Sequence, residues 1–206
     1  MKKFLLTSLI AIVAFCLVTG SGAETRISKF ESAFFSSQNL QDGDIVVRSG
    51  KGFISDVFRN TSRRERKYSH AGLVVIRQGR PYVIHVIGHE GNTTNGDLRE
   101  EPIERFCSSE ANLGYAIYRC GLNAKQKDQL NQLLSAMQRS HLKFDDHFDL
   151  KSNEAMYCSE FISKMLYRSA GICFPVSHIG NSTYIGVDDL YLNSFTCKIA
   201  EFKYKS

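Results

Sequence analysis

The sequence predicts an α+β fold: an antiparallel sheet packed against helices, with a cysteine at the N-terminus of one helix. Three observations predict it. Residues 68–77 and 82–87 are apolar, β-branched runs separated by Gln78-Gly79-Arg80-Pro81, which reads as a hairpin. Residues 124–140 carry Leu130, Leu133, Leu134 and Met137 at helical intervals, with Asn123 placed to cap them. After Tyr157-Cys158-Ser159-Glu160, the residues Phe161, Ile162, Met165 and Leu166 again recur at helical spacing, and Ser169-Ala170-Gly171 closes the segment.

In chain order, residues 1–23 read as a signal peptide. Lys2 and Lys3 form its basic end, Phe4 to Val18 its apolar run, and Ser21-Gly22-Ala23 the small residues before a cut at Ala23–Glu24. The apolar run is shorter than the ~20 residues a span needs, so no stable membrane span is expected after cleavage. The protein is expected to be exported, periplasmic or secreted, as a single domain over residues 24–206 and a monomer. The formal charge of +5 loses Lys2 and Lys3 and no acid, leaving a mildly basic chain that gives no case for nucleic acid.

Residues 24–38 read as a short helix and 44–48 as the first strand. Residues 53–59 read as one or two helical turns with Ile54, Val57 and Phe58 inward. The run 60–67, with Arg63, Arg64, Arg66 and Lys67, is a polar loop that leads into His70. The hairpin follows, then a Gly/Asn loop over 88–96. Residues 98–103 form a strand that Pro102 assigns to an edge, and 115–120 a further strand. Residues 141–152 are a charged, aromatic loop. The tail holds a loop at 177–186, a helical turn at 187–192 and a last strand near 197–204.

An exported chain meets oxidising conditions. Outside the leader there are five cysteines: Cys107, Cys120, Cys158, Cys173 and Cys197. An odd number leaves one thiol unpaired. The simplest arrangement joins Cys107 to Cys120 and Cys173 to Cys197 and leaves Cys158 free, although spacing alone does not fix the connectivity. No C-x-x-C occurs, and the spacing fits no zinc pattern. His85 and His89 stand roughly 13 Å apart if both lie on one strand, too far to share an ion. No metal and no cofactor are expected.

The chemistry centres on Cys158. A helix start offers unpaired N–H groups and the positive end of the dipole, which favour a thiolate. A nearby imidazole can take the proton. His70 and His85, on paired strands, supply a base and an orienting group that fixes its tautomer.

These residues resemble a known family. Gly43-Asp44-Ile45-Val46, Tyr68-Ser69-His70-Ala71-Gly72-Leu73-Val74, Val83-Ile84-His85-Val86, Phe144-Asp145-Asp146-His147-Phe148-Asp149 and Tyr157-Cys158-Ser159-Glu160-Phe161 are similar to motifs of the permuted papain-like cysteine hydrolases. The similarity is to the YiiX/YebB-like branch of the NlpC superfamily, which is related to the lecithin:retinol acyltransferase-like proteins. It runs from about Gln41 to Asn193. It implies a circularly permuted papain-like fold in which histidine precedes cysteine. It also implies Cys158 as nucleophile, His70 as base and His85 as the polar third residue. Histidine at that third place is closer to the acyltransferase-like relatives, where the YiiX-like branch often has glutamate.

The implied reaction is amide or peptide cleavage through a thioester on Cys158, with a peptide-like substrate such as cell-wall peptide. An acyl-lipid esterase or acyltransferase, or a non-catalytic binding module on the same fold, are the alternatives. The Cys158 N–H is the first candidate for the oxyanion, with Tyr68, Tyr157 and Ser159 as further oxyanion or substrate contacts.

Overall fold

The computed structural model describes residue 35 and the ranges 39–88, 97–180 and 182–205. The expected leader, most of the helix expected over 24–38 and most of the 88–96 segment lie outside these residues. Six strands form one antiparallel sheet: β1 (Ile45–Gly50), β2 (His70–Arg77), β3 (Arg80–Val86), β4 (Leu98–Pro102), β5 (Asn112–Arg119) and β8 (Cys197–Lys203). Their order is β4-β3-β2-β1-β5-β8, so Pro102 lies on an edge strand, as its missing N–H requires. The helices are α1 (Phe53–Thr61), α2 (Ile103–Phe106), α3 (Ala124–Arg139) and α4 (Cys158–Ala170).

Strand alternation sorts the sheet into two faces. Ile45, Val47, Ala71, Leu73, Val75, Ile84 and Val86 pack with Leu130 and Leu134 of α3 and with Phe161, Ile162, Met165 and Leu166 of α4. On the other face, Val46, Val74 and Val83 pack with Ile103, Phe106 and Cys107. Asn123 caps α3 reciprocally: its Oδ1 accepts from Gln126 N and its own N–H donates to Gln126 Oε1, both at 3.0 Å. Gly171 closes α4 at φ 71°, a left-handed cap that costs glycine nothing.

Five details differ from the sequence reading. The residue before α4 is Tyr157, and Asn153 lies outside the helix. Residue 103 opens the short helix α2 rather than ending β4. The 177–186 loop contains a two-stranded hairpin, β6 (Ser177–Ile179) with β7 (Ser182–Tyr184). Ile54 and Val57 of α1 point outward, at 65% and 45% exposure. The expected disulfides are also absent: Cys107, Cys120, Cys158, Cys173 and Cys197 are all free thiols. Cys107 is buried among α2 side chains at one end of β5, and Cys120 follows the other end. At ~3.3 Å per residue that strand is far longer than the ~7 Å limit between bridged Cα atoms. Cys197 lies instead across from Arg119, next to Cys120.

The Gly43-Asp44 corner joins the sheet to the loop before it. Gly43 takes φ 85°, and its N–H donates to Val74 O at 3.0 Å. The buried Asp44 carboxylate accepts from Arg119 Nε at 2.7 Å and from Arg119 Nη2 at 2.6 Å. Gln41 N donates to the same group at 2.9 Å. Replacing Arg119 by methionine leaves this carboxylate buried without its counter-charge. Urea unfolding of R119M should show a loss of about 2–4 kcal/mol; an unchanged midpoint would mean that the pair contributes nothing.

Candidate active site

Cys158 is the first residue of α4 and is 8% exposed. The ladder between β2 and β3 starts at Leu73 opposite Ile84. Ala71 therefore lies beyond the last rung, and its N–H faces the Cys158 sulfur. That N–H belongs to the peptide bond between His70 and Ala71, so the sulfur sits at the strand end that carries His70. Its polar partner in this structure is this amide rather than an imidazole nitrogen.

Burial is the largest influence on the thiol and pushes its pKa up. The N–H groups of Ala71 and Ser159 and the Ser159 hydroxyl pull the other way without overcoming it. Desolvation therefore opposes the thiolate that the helix start favours.

His70 and His85 do come together. His70 Nε2 lies 2.9 Å from His85 Nδ1. Gly72 makes this possible: a Cβ there would stand 2.3 Å from Val83 Cγ1 and 3.2 Å from His85 Cβ. The Ser-His-Ala-Gly run therefore needs its glycine for space between the strands. Both rings pack against Phe106, at centroid distances of 5.6 Å and 5.0 Å.

Behind His85 stands Glu101, a residue that the sequence reading did not single out. Its Oε1 is 3.1 Å from His85 Nε2. β4 pairs Glu101 with Val83, which sets it on the same face as His85. Its carboxyl is held below the ordinary range: burial pushes it up, but His85, Arg48 and Arg105 together outweigh that. The contact lacks the alignment of a hydrogen bond, but a carboxylate this close favours His85 with a proton on Nε2. His85 Nδ1 must then accept from His70 Nε2–H. The chain leaves the His70 Nδ1 lone pair as the base.

Arg48 was also missed. It pairs with His70 in register and donates to Phe106 O at 2.9 Å. Burial, then Arg48 and His85, lowers the His70 pKa well below its usual value. His85 is lowered chiefly by burial, against the opposing pull of Glu101.

The three remaining candidates, Tyr157, Ser159 and Tyr68, are buried next to these groups. Ser159 Oγ donates to Ile185 O at 2.8 Å, and Ile185 N donates to the Tyr157 hydroxyl at 2.8 Å. The two side chains clamp one backbone segment, and Tyr157, which only accepts there, keeps its O–H donor. Tyr68 is 2% exposed and packs edge-on against Tyr191 at 5.4 Å. The backbone N–H groups at the start of α4 remain as oxyanion donors. Buried side-chain partners such as Ile185 are remote in sequence, so no local pattern could have announced these roles.

A thiol opening a helix against a sheet that carries a histidine relay defines the class of papain-like cysteine amidases, here with histidine ahead of cysteine. The chain belongs to the permuted papain-like amidase family YaeF/YiiX, C92, whose family model matches residues 39–190. It is a cysteine hydrolase of amidase or peptidase type. It is 25% identical over 134 residues to the uncharacterized protein YiiX of Escherichia coli K12, a match covering 64% of this chain and 60% of that relative's length. Its fold is also that of a crystal structure titled metalloprotein yiiX from Escherichia coli O157:H7. The TM-score is 0.65 at 18% identity, over 80% of this chain and 98% of that one.

The lowered histidines set a sign for pH. Below the usual value of 6.5, the unfolded chain binds protons before the folded one. Their contribution is complete above that pH and is lost as pH falls. Glu160, pushed up to about 7 mainly by burial, acts in the opposite sense between 4.5 and 7. The histidine effect is therefore read as a difference. The stability gap between wild type and the double variant H70N/H85N, from urea midpoints at pH 7.5 and 5, should move in favour of the variant at the lower pH. A constant gap would show that the imidazoles are not held neutral.

Proposed function

We propose that this protein is an exported amidase or peptidase that cleaves a peptide-like amide, with cell-wall peptide as the substrate class, through a thioester on Cys158. The supporting observation is the Glu101–His85–His70 chain. It leaves one lone pair, on His70 Nδ1, at the strand end where the sulfur lies. Apo contacts of this kind tighten when substrate binds.

The thiol and imidazole rest neutral, so proton removal accompanies attack. The sulfur forms a bond to the amide carbon while its proton passes to His70 Nδ1. The oxyanion is held by N–H groups at the start of α4. His70 then returns the proton to the leaving nitrogen as the C–N bond breaks. Water, deprotonated by His70, hydrolyses the thioester and restores the thiol. His85 and Glu101 hold the ring and stabilise the imidazolium that forms between these steps.

The structural relative is titled a metalloprotein. Among the described residues no three His, Cys, Asp or Glu side chains converge as a ligand set. No step of the proposed reaction passes through a metal.

The test is to incubate the purified protein with cell-wall peptide fragments and with acyl-lipid esters, then look for an acyl adduct on Cys158 by denaturing mass spectrometry. Adduct and free amine from peptide are expected, with turnover falling ~10²–10⁴-fold in H70A and vanishing in C158A. Turnover that survives in C158A would exclude the thioester. Adduct from esters alone would move the substrate to lipid. Iodoacetamide labelling of Cys158 across pH should give an apparent pKa at or above the ordinary ~8.5. A value well below it would replace the neutral pair with a resting thiolate–imidazolium pair.

A further inference from the structure

The helix α1 is turned inside out. A surface helix ordinarily buries its apolar stripe and exposes its polar one. Here Arg59 docks, donating to Gly50 O at 2.6 Å and to Ser49 Oγ at 3.1 Å, beside the half-buried Phe58. The apolar side faces out, with Phe53 at 77%, Ile54 at 65% and Val57 at 45% exposure, and none of the nine residues is buried. Val57 is one turn from both Phe53 and Ile54 and lies between them around the helix, so the three form one patch.

The surroundings are cationic. Residues 48–67 hold seven Lys and Arg against Asp56 and Glu65, a net +5, which equals the formal charge of the whole chain. Asp56 is already paired with Arg59. Lys51, Arg63 and Arg66 are exposed, whereas Arg64 is paired with Asp189 and Lys67 with Glu201. The loop is held in place: the buried Asp188 Oδ2 accepts from the N–H groups of Arg63 at 3.1 Å and Arg64 at 2.7 Å.

We propose that α1 and its flanking cations form a seat for an anionic lipid surface. An exposed apolar helix face ringed by Lys and Arg matches both layers of such a surface, the acyl boundary and the charged headgroups. A soluble peptide partner would match the charge and leave Phe53 and Ile54 unexplained. A second copy of this chain would bring the same positive charge against itself.

The seat adjoins the active site. Phe58 of α1 stacks on Phe148 at 6.1 Å, and Phe148 on Tyr157, next to Cys158, at 5.1 Å. Gly50 N donates to the Oγ of Ser69, next to His70, at 2.9 Å. Docking would hold the thiol beside the membrane plane. The seat does not depend on the thiol chemistry, and C158A should bind as wild type does.

The chain has no tryptophan, so Phe53→Trp places a lone fluorophore on the patch. A reading at this position is needed because the apolar run of residues 4–18 could tether the full chain to any bilayer. Full-chain F53W, and V57W as a second reporter, would be titrated with vesicles of phosphatidylcholine alone and with 30% phosphatidylglycerol, with and without brominated acyl chains. A shift of emission to shorter wavelength and quenching by bromine are expected only on the anionic vesicles, and both should fade in high salt. Adding Lys51→Gln, Arg63→Gln and Arg66→Gln should weaken the response by about fivefold per residue. Solvent-like emission from both reporters on anionic vesicles would overturn the proposal. So would equal responses on the two vesicle types, or a shift that grows with protein concentration without lipid, which would mark a second copy.

Discussion

One carboxylate organises the site from behind. Glu101 lies 3.1 Å from His85 Nε2, and its negative charge favours a proton on that nitrogen. That leaves His85 Nδ1 as an acceptor, which fixes His70 in turn. Three residues on three strands thereby decide which nitrogen of His70 is the base. The sheet makes this possible, because neighbouring strands bring these positions to one face without any loop to order. Gly72 supplies the room, since a side chain there would occupy the space of Val83 and His85.

Nucleophile and relay are held by opposite means. The relay is fixed by donors and acceptors with no spare tautomer. Cys158 is fixed by packing: Phe161 and Ile162 lock α4 onto the sheet, and the Tyr157 and Ser159 side chains grip Ile185. The sulfur finds the one amide of β2 that the ladder leaves over. Burial raises the thiol and lowers the imidazole, so both shifts disfavour the charged forms. The same low-dielectric surroundings that raise the thiol would strengthen the oxyanion contacts at the helix start.

Buried hydrogen bonds at the strand ends set up the chemistry, while α1 turns its apolar residues toward solvent beside them. Asp188 connects the two, pinning the cationic loop to the segment that follows the Ile185 clamp.

Short-range order was legible in the sequence. The hairpin, the Asn123 cap, the Gly171 stop and the placing of Cys158 at a helix start all follow from spacing and backbone preference, which act over a few residues. The same patterns, set beside known motifs, gave the family and the α+β fold. Three things needed the tertiary structure. Glu101 and Arg48 enter the site through strand register, which joins residues far apart in sequence. The direction in which α1 faces depends on what lies beneath it, and a helical pattern of apolar residues is the same whichever side is buried. The state of the Cys158 thiol turns on desolvation, which exists only once the helix is packed against the sheet.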